Sequence, residues 1–101
     1  MASNISKKHV EMVKWQFGFS DDSRDQFKQV DQAVRVRIKK KIQKILQSNK
    51  YPAIFFKPLT GTMYHLYSLR VGDHRLICQI KGAELIIMAL QVGHRRDVYE
   101  L

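Results

Sequence analysis

The length, composition and charge of the chain exclude several classes of protein. Its 101 residues suffice for one domain, and a hydrophobic content of 45% is too high for a disordered protein. A formal net charge of +9, from 18 Lys and Arg against 9 Asp and Glu, favours an acidic partner: a nucleic acid, an anionic membrane or an acidic protein. A soluble basic domain without a polyanionic partner is the alternative.

Nothing in the sequence suggests secretion or membrane insertion. Cys78 is the one cysteine, so no internal disulfide can form. The N-terminal segment has basic residues but lacks the apolar stretch of a signal peptide. The longest apolar run, Leu85–Leu90, is too short to cross a bilayer. We therefore predict a cytoplasmic protein with no membrane partner.

The N-terminal residues divide into an arm and the start of the fold. Residues 1–13 are polar and basic without apolar periodicity, and are predicted to be an arm, frayed or in a short helix. A single domain is predicted over residues 14–101. Aromatic residues alternate with small or polar residues over positions 15–19, which predicts a strand with one buried face.

Two helices are predicted next. Ser20 can cap the first helix, in which Phe27 and Val30 are the predicted buried contacts. Asp31 can cap the second, which runs to about Ser48. The apolar stripe of this second helix consists of Val34, Ile38, Ile42, Ile45 and Leu46.

The second half of the chain predicts three strands joined by short turns. They are Tyr64–Arg70, Arg75–Ile80 and Glu84–Val92, following a connecting segment over Tyr51–Gly61. The third is almost continuously apolar, which favours a central position covered on both faces. The order β-α-α-β-β-β predicts an α+β fold: an antiparallel sheet with an N-terminal helical hairpin on one face and the other face open.

Two arginines are the leading candidates for chemistry. Adjacent antiparallel strands would bring Arg75 near Arg95 on the sheet surface. Two converging guanidinium groups form a clamp for a phosphate and for the charge that grows on it during transfer. The alternative is that they are surface charges paired with nearby acids.

Histidines and tyrosines form a second group of candidates. His65, His74 and His94 lie in or beside predicted strands, and an imidazole suits acid–base work near neutral pH. None of them shows a zinc-ligand spacing with Cys78, so no metal site is predicted. Exposed tyrosines beside arginines can stack on unpaired bases, although buried strand tyrosines are equally common. The tyrosines concerned are Tyr64, Tyr67 and Tyr99.

The second helix carries a run of basic residues outside its apolar stripe, with no acid among them. This run contacts either phosphates or an acidic partner, or else it is a solvated face. Its members are Arg35, Arg37, Lys39, Lys40, Lys41 and Lys44.

Three motifs in order make the chain resemble the RelE/ParE superfamily of toxins from type II toxin–antitoxin systems. They are Lys57–Gly61, Leu69–Ile77 and Val92–Tyr99. The helical part, Phe27–Leu46, fits the family's helical hairpin, and the resemblance covers roughly Trp15–Tyr99.

The resemblance implies the family's fold and, for RelE-type members, ribosome-dependent cleavage of messenger RNA without a metal or other cofactor. A 2′-hydroxyl attacks the adjacent phosphate, which leaves a 2′,3′-cyclic phosphate and a free 5′-hydroxyl. This reaction needs a base, positive charge at the phosphorus and an acid. The implied partners are a cognate antitoxin, messenger RNA and the ribosome around the 16S rRNA of its A site.

The resemblance also assigns roles to residues. Arg75 and Arg95 stabilise the scissile phosphate, with Arg96 as the fallback for Arg95. Tyr99 stacks on a base or protonates the leaving group, and Lys57 contacts phosphate. Further RNA contacts are assigned to Arg70, His74 and Tyr67.

The general base is where this sequence departs from RelE itself. RelE has lysines on the strand before the turn, whereas this chain has His65–Ser68 there. The base is then His65 or His94. The alternatives to RNA cleavage are a ParE-type inhibitor of DNA gyrase on the same scaffold and a nucleic-acid-binding member that does not cleave.

Overall fold

The computed structural model describes residues 14–94; the predicted arm over residues 1–13 and the segment 95–101 lie outside the described residues. The described part contains two α-helices and five strands, joined in places by short 3-10 turns. In chain order they are β1 (Gln16–Phe19), α1 (Asp21–Lys28), α2 (Gln32–Gln47), β2 (Lys57–Pro58), β3 (Tyr67–Val71), β4 (His74–Lys81) and β5 (Ile86–His94). No helix within residues 14–94 is both long and apolar enough to span a membrane.

The start of α1 is fixed by the predicted cap, and this helix is tied to the sheet. Ser20 Oγ accepts a hydrogen bond from Ser23 N at 3.2 Å, as expected of an N-cap serine. The Ser23 hydroxyl is fully buried and donates to the carbonyl of Ala89 at 2.8 Å. Gln26 Oε1 accepts from Val92 N at 2.7 Å. Two side chains of α1 therefore hold it against β5.

The α+β fold class is confirmed, and the sheet is mixed rather than wholly antiparallel. The strand order is β1-β5-β4-β3-β2, and β1 runs parallel to β5. The other three pairings are antiparallel. Short turns force antiparallel pairing only between consecutive strands. The helical hairpin separates β1 from the rest, so its direction was not constrained by a turn.

The predicted strand bounds differ from the observed ones around the first motif. Lys57–Pro58 was predicted as part of a connection but forms the edge strand β2, opposite Ser68 and Tyr67. Two residues are too few to show an alternating pattern. The following strand begins at Tyr67 instead of Tyr64 because Gly61–Met63 forms a 3-10 turn.

The predicted internal position of β5 is confirmed, since it lies between β1 and β4. The prediction that both its faces are covered is wrong: its fully buried residues, Ile87, Ala89 and Val92, are separated by half-buried ones. Cys78 pairs with Ala89 while Ile77 pairs with Gln91. One extra residue is therefore accommodated in β5 as a bulge, which keeps both Ala89 and Val92 on the buried face.

The main core lies between the two helices and one face of the sheet. Ile38, Ile42 and Ile45 of the α2 stripe are buried there together with Phe27 and Val30, as predicted. The sheet contributes Leu69, Val71, Leu76, Cys78, Ile87, Ala89 and Val92.

The opposite face of the sheet, predicted to be open, is covered at one point. Leu59 and the fully buried Ile77 form a second cluster, against which Met63 and Leu66 pack. The segment between β2 and β3 thus folds over the middle of this face. The covering is local, because Arg70, Arg75 and Gln79 on the same face remain at least partly accessible.

Truncation in the α2 stripe tests this core. Ile38→Ala should lower the free energy of unfolding by about 2–5 kcal/mol, because it removes part of a fully buried side chain and leaves a cavity in its place. Val36→Ala, on the same helix at 43% exposure, should change it by less than about 0.5 kcal/mol. Urea unfolding of both variants gives the comparison, and equal losses would contradict the assigned helix face.

Candidate functional site

The β3–β4 hairpin brings two of the predicted arginines together. Arg70 is the register partner of Arg75, and Arg75 in turn is opposite Gly93 of β5. Directly opposed residues on neighbouring strands project to the same face. Gly72 lies in the two-residue turn that closes the hairpin with a φ of 59°, a conformation that disfavours other residues. The turn thereby fixes the register that pairs the two arginines.

These arginines project from the face of the sheet that the helices leave uncovered. Their strand neighbours Leu69 and Leu76 are buried in the main core, and side chains alternate along a strand. Arg70 is exposed, whereas Arg75 is half-buried beside the cluster around Ile77. A partly desolvated guanidinium interacts more strongly with an anion than a fully hydrated one does.

Two further predicted residues belong to the same side of the sheet. Lys57 is opposite Ser68, which in turn is opposite Ile77, so the exposed Lys57 shares the face of Arg70 and Arg75. His65 is exposed on the segment that covers this face, immediately before Leu66. We call the surface formed by Lys57, His65, Arg70 and Arg75 the arginine face.

An exposed aromatic ring adjoins this face. Tyr64 is 75% exposed, and its ring meets that of His65 edge-to-face at a centroid distance of 5.3 Å. The backbone bond from Leu59 N to the carbonyl of Leu66, at 2.9 Å, fixes the loop that carries both rings. Tyr64 was one of three tyrosines considered for base stacking, and it is the most exposed of those that the structure describes.

His74 and His94 lie on the other face of the sheet. His74 is opposite Val71, a member of the main core, and opposite His94. The two imidazole rings meet at 5.7 Å. Together with Gln29 and Asp31 they line a cavity of about 540 Å³ between the helical hairpin and the ends of β4 and β5. The sheet therefore separates both histidines from Arg75.

Tyr67 also lies away from the arginine face. It is opposite Cys78, and its ring packs edge-on against Phe56 at 6.3 Å beside the main core. The alternation of Tyr67, Leu69 and Val71 in β3 is a sequence signal that these three side chains share one face of the sheet. This placement does not present its ring to a base bound near the arginines.

Three predicted site residues cannot be placed. Arg95, Arg96 and Tyr99 lie outside the described residues. The described chain ends at His94, one residue after Gly93, the partner of Arg75.

The remaining candidate groups show no metal site. Within residues 14–94, no cluster of three or more His, Cys, Asp or Glu residues could hold an ion. Cys78 is fully buried in the main core, and desolvation raises the pKa of its thiol from about 9 to about 12. It is therefore a neutral core side chain at physiological pH.

Comparison with known proteins gives one family and a consistent set of folds. Residues 13–99 match the model of a family described as the ParE toxin of the type II toxin–antitoxin system parDE. The chain is 26% identical over 91 residues to a curated RelE-like toxin protein of Escherichia coli, covering 88% of this chain and 94% of that protein.

Solved structures of similar fold cover about four fifths of the chain. The isolated RelE toxin of Escherichia coli superposes with a TM-score of 0.64 at 22% identity, covering 79% of this chain and 83% of RelE. The RelB–RelE antitoxin–toxin complex from Methanococcus jannaschii gives a TM-score of 0.63 at 26% identity, covering 81% of this chain and 94% of the matched one.

The buried thiol predicts a pH dependence of stability. Above about pH 9 the unfolded chain loses the Cys78 proton while the folded chain keeps it until about pH 12. The free energy of unfolding should therefore fall across this window, by about 1.4 kcal/mol per pH unit from this group. Urea unfolding of the wild type and Cys78→Ala should show the smaller slope in the variant. Parallel slopes would show that the folded thiol ionises normally.

Proposed function

The chain belongs to the ParE toxin family of type II toxin–antitoxin systems, within the RelE/ParE superfamily, and from this premise we propose that it is a ribosome-dependent endoribonuclease that cleaves messenger RNA. The observation that carries the proposal is the pairing of Arg70 with Arg75 on the accessible face of the sheet. Lys57 adds a third cation to the same face. Such a set suits a bound phosphate whose negative charge increases during the reaction.

The proposed reaction is an internal transfer at phosphorus. A base removes the proton from a 2′-hydroxyl, and the 2′-oxygen forms a bond to the adjacent phosphorus. The bond from phosphorus to the 5′-oxygen breaks, and an acid protonates that oxygen. Arg75 is assigned to the equatorial phosphate oxygens because its partial burial strengthens the interaction, and Arg70 and Lys57 bind the flanking backbone.

We assign His65 as the general base. Both His65 and His94 were candidates, but only His65 lies on the side of the sheet where Arg75 projects. The Tyr64 ring beside it supplies a stacking surface for a neighbouring base. Arg95, with Arg96 as fallback, and Tyr99 keep the roles that the family resemblance implies: phosphate binding for the arginines and protonation or stacking for the tyrosine.

Partners follow from the same proposal. The related structure from Methanococcus jannaschii is an antitoxin–toxin complex, and we propose that a cognate antitoxin likewise binds this chain. Messenger RNA and the ribosomal A site are the proposed targets, which would place the protein in the cytoplasm.

A ParE-type gyrase inhibitor is the second candidate. The family model that matches the chain is that of ParE toxins, while the curated relative is described as RelE-like. An inhibitor that binds gyrase has no need for paired arginines on the accessible face of the sheet, which is why RNA cleavage is preferred. A member that binds RNA without cleaving it would keep the arginines and lack the reaction.

Removal of Arg75 tests the proposed reaction. Arg75→Ala should reduce cleavage at least about 100-fold, since it removes charge stabilisation at the phosphate. Arg95→Ala should act similarly, while Arg24→Ala, an exposed arginine on α1, should cleave like the wild type. Primer extension on a reporter messenger RNA in a reconstituted translation reaction measures the new 5′ ends. If a folded, growth-inhibiting wild type leaves the messenger RNA intact, the proposed cleavage is wrong, and inhibition of gyrase supercoiling is the activity to measure next.

The assignment of the base gives a separate prediction. His65→Gln should lower the cleavage rate by about 100-fold or more and remove the acidic limb of the pH–rate profile. His94→Gln, which changes an imidazole on the opposite face, should keep that limb. Single-turnover cleavage on programmed ribosomes across a pH series distinguishes the two. A pH–rate profile altered only in His94→Gln would contradict the assignment of His65 and would make His94, on the helix side of the sheet, the general base.

A further inference from the structure

A second cationic surface lies next to the arginine face, between α2 and the β3–β4 turn. It is a groove of about 330 Å³ that Val71 and Gly72 line together with five cationic residues. We call it the α2 groove. Its cationic residues are Arg37, Lys40, Lys41, Lys44 and Arg70. None of the lining residues is acidic, and Asp73, adjacent in sequence, is not among them.

The helix residues of the groove are spaced to follow a polyanion. Positions 37, 40, 41 and 44 repeat at three and four residues, so their side chains lie on one side of α2, about 5–6 Å apart. Seven residues of helix span about 10 Å. One strand of double-helical DNA carries a phosphate about every 3.4 Å along the helix axis, so at a similar spacing the row would face about three nucleotides.

The turn of the hairpin forms one end of the groove. A Cβ at Gly72 would lie 3.0 Å from a terminal nitrogen of Arg37, so glycine leaves room for that guanidinium against the turn. Arg70 Nε donates to the carbonyl of Gly72 at 3.1 Å. Two guanidinium groups, one from the helix and one from the sheet, therefore both meet the turn at Gly72.

Arg70 connects the groove with the arginine face. It lines the groove and is also the register partner of Arg75. An RNA strand bound at Arg75 could therefore continue past Arg70 and along α2.

The only apolar side chain in the lining of the α2 groove is Val71, at 8% exposure. A folded peptide partner would need more apolar surface to pack against, whereas a phosphate backbone needs none.

We propose that the α2 groove binds the phosphate backbone of RNA outside the cleavage site and so positions the toxin without taking part in the reaction. This inference deepens the proposed function, and it rests on RNA being the target. Like charges at helical spacing repel each other in the free protein, and phosphates relieve that repulsion. The groove residues should consequently affect RNA binding more than the rate of the bound complex.

A matched pair of double variants tests the groove. Lys40→Gln/Lys44→Gln removes two groove cations, and Lys28→Gln/Lys39→Gln removes two exposed helix lysines that do not line it. Both have the same net charge. Binding of a fluorescently labelled poly(U) strand, without ribosomes, is measured by anisotropy over a series of salt concentrations.

The groove variant should lower the salt slope by roughly 1.4, at about 0.7 per phosphate contact on a single strand. The control variant should stay close to the wild-type slope. On ribosomes, the groove variant should require a higher toxin concentration for half-maximal cleavage while its saturating rate remains near that of the wild type. Arg75→Ala should show the reverse: a lost rate, with no more than the roughly 0.7 of a single phosphate contact taken from the poly(U) salt slope.

Two results would overturn the proposal. Equal slopes for the two double variants would show that the groove lysines are a solvated face. An unchanged slope together with weakened binding of the purified cognate antitoxin by Lys40→Gln/Lys44→Gln would identify the groove as a protein-docking surface. Because poly(U) binding is measured without cleavage, a toxin that does not cut messenger RNA leaves this test intact.

Discussion

The burial of one face of β4 in the main core is the constraint on which the rest of the structure depends. Leu76 and Cys78 are completely buried against the helical hairpin. Side chains alternate along a strand, so Arg75 and Ile77 must project from the opposite face. A slip of one residue would bury Arg75 in the apolar core and expose Leu76, which is strongly unfavourable. The apolar core thus determines where the positive charge of Arg75 can be.

The accessible face of the sheet combines two environments. The Leu59–Ile77 cluster covers its middle and lies beside the half-buried Arg75, while Arg70 and Lys57 remain exposed. Exposed cations attract a polyanion over a distance limited by salt screening. A partly desolvated cation acts at short range and more strongly. Attraction of the proposed RNA substrate and stabilisation of its reacting phosphate can therefore belong to different residues.

The helical hairpin contributes both to the buried core and to the cationic surface. One side of α2 supplies Ile38, Ile42 and Ile45 to the core, and another supplies the lysines of the α2 groove. The hydrogen bonds from Ser23 to Ala89 and from Val92 to Gln26 hold α1 on β5. These contacts orient the hairpin relative to the sheet, and thereby fix the distance between the groove and the arginines on the β3–β4 hairpin.

Local signals in the sequence determined the elements and several of their limits. Residue types at fixed spacing predict the Ser20 cap, the α2 stripe and the turn at Gly72. From these signals follow the two helices, the β3–β4 hairpin and the pairing of its two strands. The tertiary structure decided what depends on contacts distant in sequence: the parallel pairing of β1 with β5, the bulge in β5, and the side of the sheet on which His65, Tyr67 and His94 lie. A strand pattern gives alternation but not which of its two faces is covered, because that depends on where the helices pack.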